Sequence, residues 1–326
     1  MPIALKNLAR TGLEIADSLC ALVSPRSHGS LITLLFHSLY RDRPETGSPL
    51  LAPNQNITIE EFRRFVGHII DRGFTPVSPR QVDAGLRAGG NYVMITFDDG
   101  YYNNTLALDV LERFHAPATF FISTNHVLQG KGFWWDAFNR ELLASGASDR
   151  QRRAEIHRVK SWTSQRIEAH ITETFGAQAL LPRGDLDRAF TPGELRDFAA
   201  NKWVHIGNHT LDHAILTNCT PDQVTHQIQG CQEALAEMVG YAPLAIAYPN
   251  GDYSEAAVKA AQRCGLRIGV TVRPFGNRLP LDDGKSRMTL GRFMPSGGRD
   301  LAFQWRKFSS EFVPSHLLKT MMMSAY

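Results

Sequence analysis

The chain has 326 residues, 43% of them hydrophobic and 21% charged, which supports a sizeable buried core and excludes disordered, collagen-like and disulfide-scaffold classes. A formal charge of +3 over that length is too small to point to a nucleic-acid partner. Cys20, Cys219, Cys231 and Cys264 show neither CxxC spacing nor the density of a secreted framework, so reduced thiols and a cytoplasmic location are expected.

Residues 1–25 place Leu5, Leu8, Leu13, Ile15, Leu19 and Leu22 at helical spacing, but Lys6, Arg10, Glu14 and Asp17 interrupt any apolar run. This segment is expected to be an amphipathic helix that docks on the body or lies peripherally on the inner face of a membrane, rather than a signal peptide or a span. The main domain is expected over residues 26–310 and a tail over 311–326.

Leu31 to His37 (LITLLFH) is an apolar run of strand length, suited to burial on both faces. Ile57 to Arg72 carries apolar residues at helical spacing and stops before Gly73. Strands follow at Tyr92 to Phe97 and Ala118 to Ile122, with a helix at Asn104 to Phe114 between them. From about 130 to 187 the rhythm breaks into charged helical sequence (DRQRRAEIHRVKSW), which reads as an inserted helical cap. The alternation then resumes. Thr191 to Lys202 opens with Thr-Pro and Glu194, a capping-box helix start. Val204 to Gly207 is a strand, Pro221 to Val239 a helix, Leu244 to Tyr248 a strand ending at the turn Pro249-Asn250-Gly251, Tyr253 to Cys264 a helix and Leu266 to Val272 a strand. Strand and helix in alternation predict a parallel sheet wrapped by helices, with functional residues at the C-terminal ends of strands.

Three such ends carry chemistry: Phe36-His37, Thr96-Phe97-Asp98-Asp99-Gly100, and His209-Thr210-Leu211-Asp212-His213. Two imidazoles and a carboxylate are a common three-ligand set for a catalytic divalent metal with positions left open. His209 and His213 are four apart, so a helical turn would put both rings on one side. A strand-to-loop transition can aim both aspartates inward, one to the metal and its neighbour to a proton. Each piece alone is weak, since Asp-Asp-Gly is usually a turn and HxxxH is more often a helix-surface feature. Following strands together, they are much stronger.

TFDDG (Thr96 to Gly100), HTLDH (His209 to His213) and AYPNG (Ala247 to Gly251) resemble the motifs of the polysaccharide deacetylases, the NodB-homology or carbohydrate esterase family 4 enzymes. The resemblance spans roughly residues 31–293, interrupted by the insertion. It implies an incomplete or distorted (β/α) barrel of seven or eight strands, a TIM-like barrel, with a divalent metal. Zinc is the first expectation, and nickel, cobalt or manganese suit the same donors. By motif, Asp98 is the catalytic base and Asp99, His209 and His213 are the ligands. Thr210 supports the ligand loop, and Asn250 offers its backbone N–H to the oxyanion, with Tyr248 beside it as a further substrate contact.

The sequence departs from the family twice. Many members have an arginine where Ala247 stands, one that orients the catalytic aspartate; Arg292, in Leu290-Gly291-Arg292-Phe293, is the candidate to supply that charge, against a plain surface arginine. The usual Leu-x-x-His near the C-terminus, which supplies the acid, is missing, and His316 lies in the tail. A subgroup with a His after its first strand fits better, which makes His37 the acid, against a buried structural histidine. Trp134 and Trp135 are sugar-stacking candidates, with core packing at the junction as the other reading. Arg150, Arg152, Arg153, Arg158, Lys160 and Arg166 make the insertion basic: a solvated helix face, or an attraction to phosphate or anionic lipid. His205 and Asp212 are candidates to support the ligands.

The expected function is removal of an N-acetyl group from an amino sugar of a polysaccharide, oligosaccharide or glycan precursor. Deformylation of a lipid-linked amino sugar would use the same machinery, and a carbohydrate-binding homologue without turnover is the rival of another class.

Overall fold

The computed structural model describes residues 29–52, 56–281 and 284–310, with isolated positions 17 and 314. The expected N-terminal helix and the tail with His316 lie outside the described residues.

The elements run β1 (Ser30–Phe36), α1 (Ile59–Asp71), β2 (Thr75–Pro76), α2 (Pro79–Ala84), β3 (Asn91–Phe97), α3 (Leu108–Phe114), β4 (Ala118–Ile122), α4 (Thr124–Gln129), α5 (Trp134–Ala144), α6 (Asp149–Val159), α7 (Ser164–Phe175), α8 (Pro192–Ala199), β5 (Val204–Asn208), α9 (Pro221–Val239), β6 (Ala245–Ala247), α10 (Glu255–Arg263), β7 (Ile268–Val270), β8 (Asn277–Arg278), α11 (Gly284–Arg287) and α12 (Leu301–Phe308). Every residue of β1 and of β4 is buried, as continuous apolar strands require when both faces are covered. Helices start where side chains can take up orphan backbone donors: Thr58 with Glu61, Ser78 with Gln81, Thr191 with Glu194 and Thr220 with Gln223 form capping boxes.

The strands form one eight-stranded sheet in the order β7-β6-β5-β4-β3-β1-β8, with β2 paired to the start of β3. All pairings are parallel except β1 with β8. Between sheet and helices, Phe36, Phe97 and Phe120 stack at 5.3 and 4.8 Å, and Phe198 of α8 meets Phe120 edge-on at 4.7 Å. The insertion holds a core of its own from Trp134, Phe138, Val159, Ile167, Ile171 and Ala179.

Two features differ from the expected elements. The helix expected from Asn104 begins as a 3-10 turn, Tyr102–Ala107, before α3. The antiparallel β8 has no apolar alternation to announce it.

The gap between β7 and the C-terminal half of β1, beyond the short β8 pairing, is bridged by residues 290–293 rather than by a regular strand. Leu290 bridges to Val270 of β7 and Phe293 to Leu34 of β1. Four backbone bonds of 2.8 Å hold it there: Leu290 N–H to Gly269, Thr271 N–H to Leu290, Leu35 N–H to Phe293, and Phe293 N–H to Thr33. This is a distorted barrel, closed by single-residue bridges. Buried Asn277 reinforces the closure: its Nδ2 donates to the Leu31 and Gly291 carbonyls at 3.0 and 3.1 Å, and its Oδ1 accepts the Gly291 N–H at 2.8 Å. Asn277→Leu is expected to leave those backbone groups unpaired and to destabilise the protein by roughly 3 kcal/mol, read as a lower urea midpoint; a midpoint within error of wild type would show that Asn277 does not hold the closure.

Candidate metal centre and cleft

Parallel strands deliver the site residues to one end of the barrel. His37 follows β1, Asp98 and Asp99 follow β3, His209 follows β5, and Asn250 sits in the turn after β6. Among the described residues, five non-glycine residues have positive φ, and four of them are here: Asp99 (75°), Thr210 (65°), His213 (50°) and Asn250 (59°). Left-handed backbone is disfavoured for residues with a Cβ and persists where the surroundings over-determine it.

The surroundings do so. Asn208 Oδ1 accepts the Thr210 N–H at 2.9 Å, while its Nδ2 donates to the Ile228 carbonyl at 2.9 Å. Thr210 Oγ1 accepts the Ala214 N–H at 2.9 Å, Ser123 Oγ donates to the His209 carbonyl at 3.0 Å, and Leu211 N–H donates to Gln227 at 3.1 Å. The segment from His209 to His213 is therefore a pinned loop. The helical turn expected to align the two histidines is absent; left-handed Thr210 and His213 do that work instead.

Asp99 Oδ1 lies 3.4 Å from His209 Nε2 and 3.4 Å from His213 Nε2, and the three ligand atoms fall within 4.8 Å of one another. Zinc-type ligand distances of about 2.0–2.2 Å put neighbouring tetrahedral ligands roughly 3.3–3.6 Å apart. His209 Nε2 is buried with no hydrogen-bond partner, although its Nδ1 meets the Ala247 carbonyl at 2.8 Å, which fixes the ring and leaves Nε2 facing Asp99. A buried donor set that meets on no protein atom fits a divalent metal.

Electrostatics agree. Burial would raise the Asp99 pKa, but His209 and the charges of His37 and His213 hold it below the ordinary carboxylate range. Burial, joined by the His209 charge, pulls His213 down to about 3, so its ring is neutral, as a ligand must be. His209 is also buried, yet the Asp98 and Asp99 carboxylates hold its pKa up.

Asp98 is buried and bidentately paired with Arg292, whose two terminal nitrogens each donate at 2.7 Å. Arg292 is 1% exposed; it also donates from Nε to the Thr271 carbonyl at 2.7 Å and from its Asp98-bound terminal nitrogen to Thr96 Oγ1 at 3.0 Å. Burial is the largest influence and alone would raise the Asp98 pKa, but the Arg292 guanidinium, joined by the His209 and His37 charges, outweighs it and holds the carboxyl below its ordinary value, so it is ionised at neutral pH. Arg292 is thus no surface residue. Half-buried His37 lines the same cleft, and its charge bears on both aspartates.

The cleft has a volume of about 440 Å³. Leu35, Ile215, Val272 and Met294 supply apolar lining. Asn250 lines it too, its Oδ1 accepting from Lys160 Nζ at 3.1 Å.

Other expectations are corrected. Tyr248 is 0% exposed and packs with Leu216, Ile246 and Val258, away from the cleft; β6 turns its next side chain outward toward the helices, so adjacency to Asn250 does not place it on substrate. Trp134 touches the cleft but is 3% exposed and belongs to the core of the insertion. Trp135 meets the site, its ring centroid 4.5 Å from that of His213, with its N–H given to the Tyr101 hydroxyl at 2.9 Å. His205 stands near the start of β5, opposite Thr119, remote from the ligands. Asp212 joins Asn125 at 2.6 Å, Gln227 at 2.7 Å and Lys131 at 3.4 Å.

The sequence reading missed Asp136. It is buried, accepts from the Tyr101 hydroxyl at 2.5 Å and from the Ala52 N–H at 2.6 Å, and burial pushes its pKa up to about 8. An acid directly after two tryptophans in an apolar stretch was the available signal.

Comparison with known proteins bears on the family and the fold. The model of the polysaccharide deacetylase family matches residues 86–269, a stretch with Asp98, Asp99, His209, His213 and Asn250 but neither His37 nor Arg292. A polysaccharide deacetylase by name, YxkH of Bacillus subtilis (strain 168), is 23% identical over 263 residues, covering 79% of this chain and 70% of YxkH. The fold is similar to that of the Streptococcus pyogenes deacetylase PplD, solved with acetate (TM-score 0.58, 18% identity, 86% of this chain and 99% of that one). It is also similar to a de-N-acetylase from Aggregatibacter actinomycetemcomitans (TM-score 0.59, 14% identity, 85% and 99%). With the family model matching more than half of its length, and the motif residues gathered at one barrel mouth, this chain belongs to the polysaccharide deacetylase family of carbohydrate N-deacetylases and is a hydrolase.

Proposed function

We propose that the protein is a metal-dependent N-deacetylase acting on an acylated amino sugar. The observation that carries this reading is the single cleft shared by the Asp99, His209 and His213 donor set and an ionised, arginine-clamped Asp98. A divalent ion held by those three ligands, zinc before nickel, cobalt or manganese, would polarise the acyl carbonyl and make water a competent nucleophile. Asp98 takes the proton of the attacking water, and Arg292 fixes the orientation of that carboxylate. His37 gives a proton to the amine nitrogen as the carbon–nitrogen bond breaks, and the backbone N–H of Asn250 stabilises the oxyanion. Leu35, Ile215, Val272 and Met294 offer the acyl group an apolar wall. We place the reaction in the cytoplasm or at the inner face of the membrane, which cell fractionation tests.

The purified protein should bind one divalent ion per chain and release acetate from N-acetylated glycans; measuring acetate and formate together separates deacetylation from deformylation. Asp98→Asn and His37→Ala should each lower kcat by about 10²–10⁴-fold with the metal still bound, whereas Asp99→Ala and His213→Ala should lose the metal in elemental analysis. Full activity in both Asp98→Asn and His37→Ala would sink the assigned roles, and binding of glycans without turnover of any would favour an inactive carbohydrate-binding protein.

Arg292→Met tests the clamp. Leaving Asp98 buried without its partner should cost about 3–5 kcal/mol at neutral pH. Because the pair depresses the folded-state pKa of Asp98, its contribution is present above the unfolded value of about 3.9 and is lost as pH falls toward and through the lower folded value. The stability gap between wild type and Arg292→Met, measured by urea unfolding, should therefore narrow below about pH 4; a gap independent of pH would show that the loss is one of packing.

A further inference from the structure

Helix α6 turns one face to the cleft. Asp149, Arg152, Arg153, Ile156, His157 and Lys160 all line it, at the three- and four-residue steps of a single helical face. Arg150 is not in that lining, and Arg158 pairs with Glu155 at 2.9 Å and lies 4.8 Å from the centroid of the Trp162 ring.

The helix is held firmly in that orientation. Val159 is fully buried in the insertion core, and Arg152 donates to Asn139 Oδ1 at 3.1 Å and to the Ala147 carbonyl at 2.7 Å. Asn218, in the loop beyond the metal ligands, donates to the Lys160 carbonyl at 2.8 Å and the Trp162 carbonyl at 3.2 Å. Lys160 Nζ reaches the turn after β6 through Asn250.

The charge on this wall is unbalanced. Asp149 is its one carboxylate, and both Arg152 and Arg153 share it. On the facing wall, Asp98 is taken by Arg292, and Asp99 belongs to the metal donor set. That leaves Arg153 with only a 3.5 Å contact to the shared Asp149, Lys160 with Asp252 as the nearby carboxylate, itself held by Asn250, and His157 with no carboxylate on this wall, so cations outnumber carboxylates on this side of the cleft. Cations in the last turn of a helix are favoured by its dipole, which accounts for His157 and Arg158 and for Lys160 at the C-cap but not for Arg153 in mid-helix.

We infer that α6 recognises a phosphate or diphosphate group on the substrate, with Arg153, His157 and Lys160 as its donors. The acylated amide of the same molecule then lies at the metal centre. The amide part of this statement rests on the deacetylase reading; the anion site does not. A cleft of about 440 Å³ is of the size that encloses one small ligand, and Arg153, His157 and Lys160 line it while remaining open to solvent. The phosphate can come from a soluble sugar phosphate or from a lipid-linked sugar diphosphate, which offer the helix the same chemistry.

Calorimetric binding to the zinc-loaded full chain tests this without requiring turnover. The probes are N-acetylglucosamine, N-acetylglucosamine 1-phosphate and a farnesyl diphosphate-linked N-acetylglucosamine. At least one phosphorylated probe should bind tenfold or more tightly than the neutral sugar, roughly the worth of one charge-assisted contact, and added salt should erode the preference. In Arg153→Gln/Lys160→Gln the ratio should fall toward one, with the melting temperature retained because both side chains are exposed; Arg153→Lys with Lys160 intact should restore most of it. A preference for the farnesyl probe alone assigns a lipid-linked source, and a preference for both assigns the phosphate itself. Equal affinity of wild type for all three, a preference that survives the double substitution, or binding only to phosphatidylglycerol vesicles would overturn the inference. Failure to release acetate or formate from any sugar would sink the deacetylase reading while leaving the binding ratio intact as a result.

Discussion

An ionised carboxylate that is 4% exposed can exist only if something replaces the water it has lost. For Asp98 that partner is Arg292, itself buried and in need of acceptors. Its donors are met by both carboxylate oxygens, Thr96 Oγ1 and the Thr271 carbonyl. These acceptors come from β3, its loop and the end of β7, so the guanidinium can reach them only from a segment lying between β7 and β1. Barrel closure and the charge state of Asp98 are one constraint. Gly291 shows how tightly that segment is laid: a Cβ there would stand 2.6 Å from the Phe275 carbonyl oxygen and 2.8 Å from that of Arg273.

The loop from His209 to His213 obeys a similar logic. Each left-handed non-glycine residue costs about 1–3 kcal/mol, and Thr210 and His213 both adopt that conformation within one five-residue motif. Asn208 offsets part of this by using its amide on both sides, accepting from Thr210 and donating to Ile228 and Gln232. It can do so because it ends β5 with its side chain buried against α9. The strain is thus carried by a helix packed on the sheet, and the ligand atoms stay where the strand end sets them.

Much of this was legible in the sequence because strand ends in a parallel sheet converge. Once LITLLF, YVMITF and the short Val204 run were recognised as strands, His37, the aspartate pair and His209 had to meet at one mouth. Side-chain direction was less legible. Tyr248 follows a strand of three residues, and only the register of β6 shows that it points to the helices. HxxxH suggested a helical turn, whereas a pinned loop places the rings, since Asn208 and Gln227 act from outside the motif. Arg292 could be named as a stand-in for the arginine absent at Ala247, but its position depends on a closure made by isolated bridges with no hydrophobic period. Asp136 is a related case: the acid after two tryptophans hints at burial, but its partners, the Tyr101 hydroxyl and the Ala52 N–H, are far away in sequence and meet it only in space.

The insertion is tied into the cluster of Asp99, His209 and His213. Asp212, between the two histidine ligands, accepts from Lys131 at the entrance to the insertion and from Gln165 of α7 at 3.3 Å, as well as from Asn125 and Gln227. Lys131 in turn is held by Glu168 at 2.8 Å. The His213 ring lies against Trp135, and its Nδ1 has no hydrogen-bond partner, so packing from α5 replaces the carbonyl contact that orients His209. Asn218 ties the same loop to the end of α6. The helical unit that packs on the His213 ring therefore also carries the basic face that lines the cleft. A shift of α6 would pull on Asn218, so the position of its cleft-facing side and the loop that carries His213 are mechanically joined.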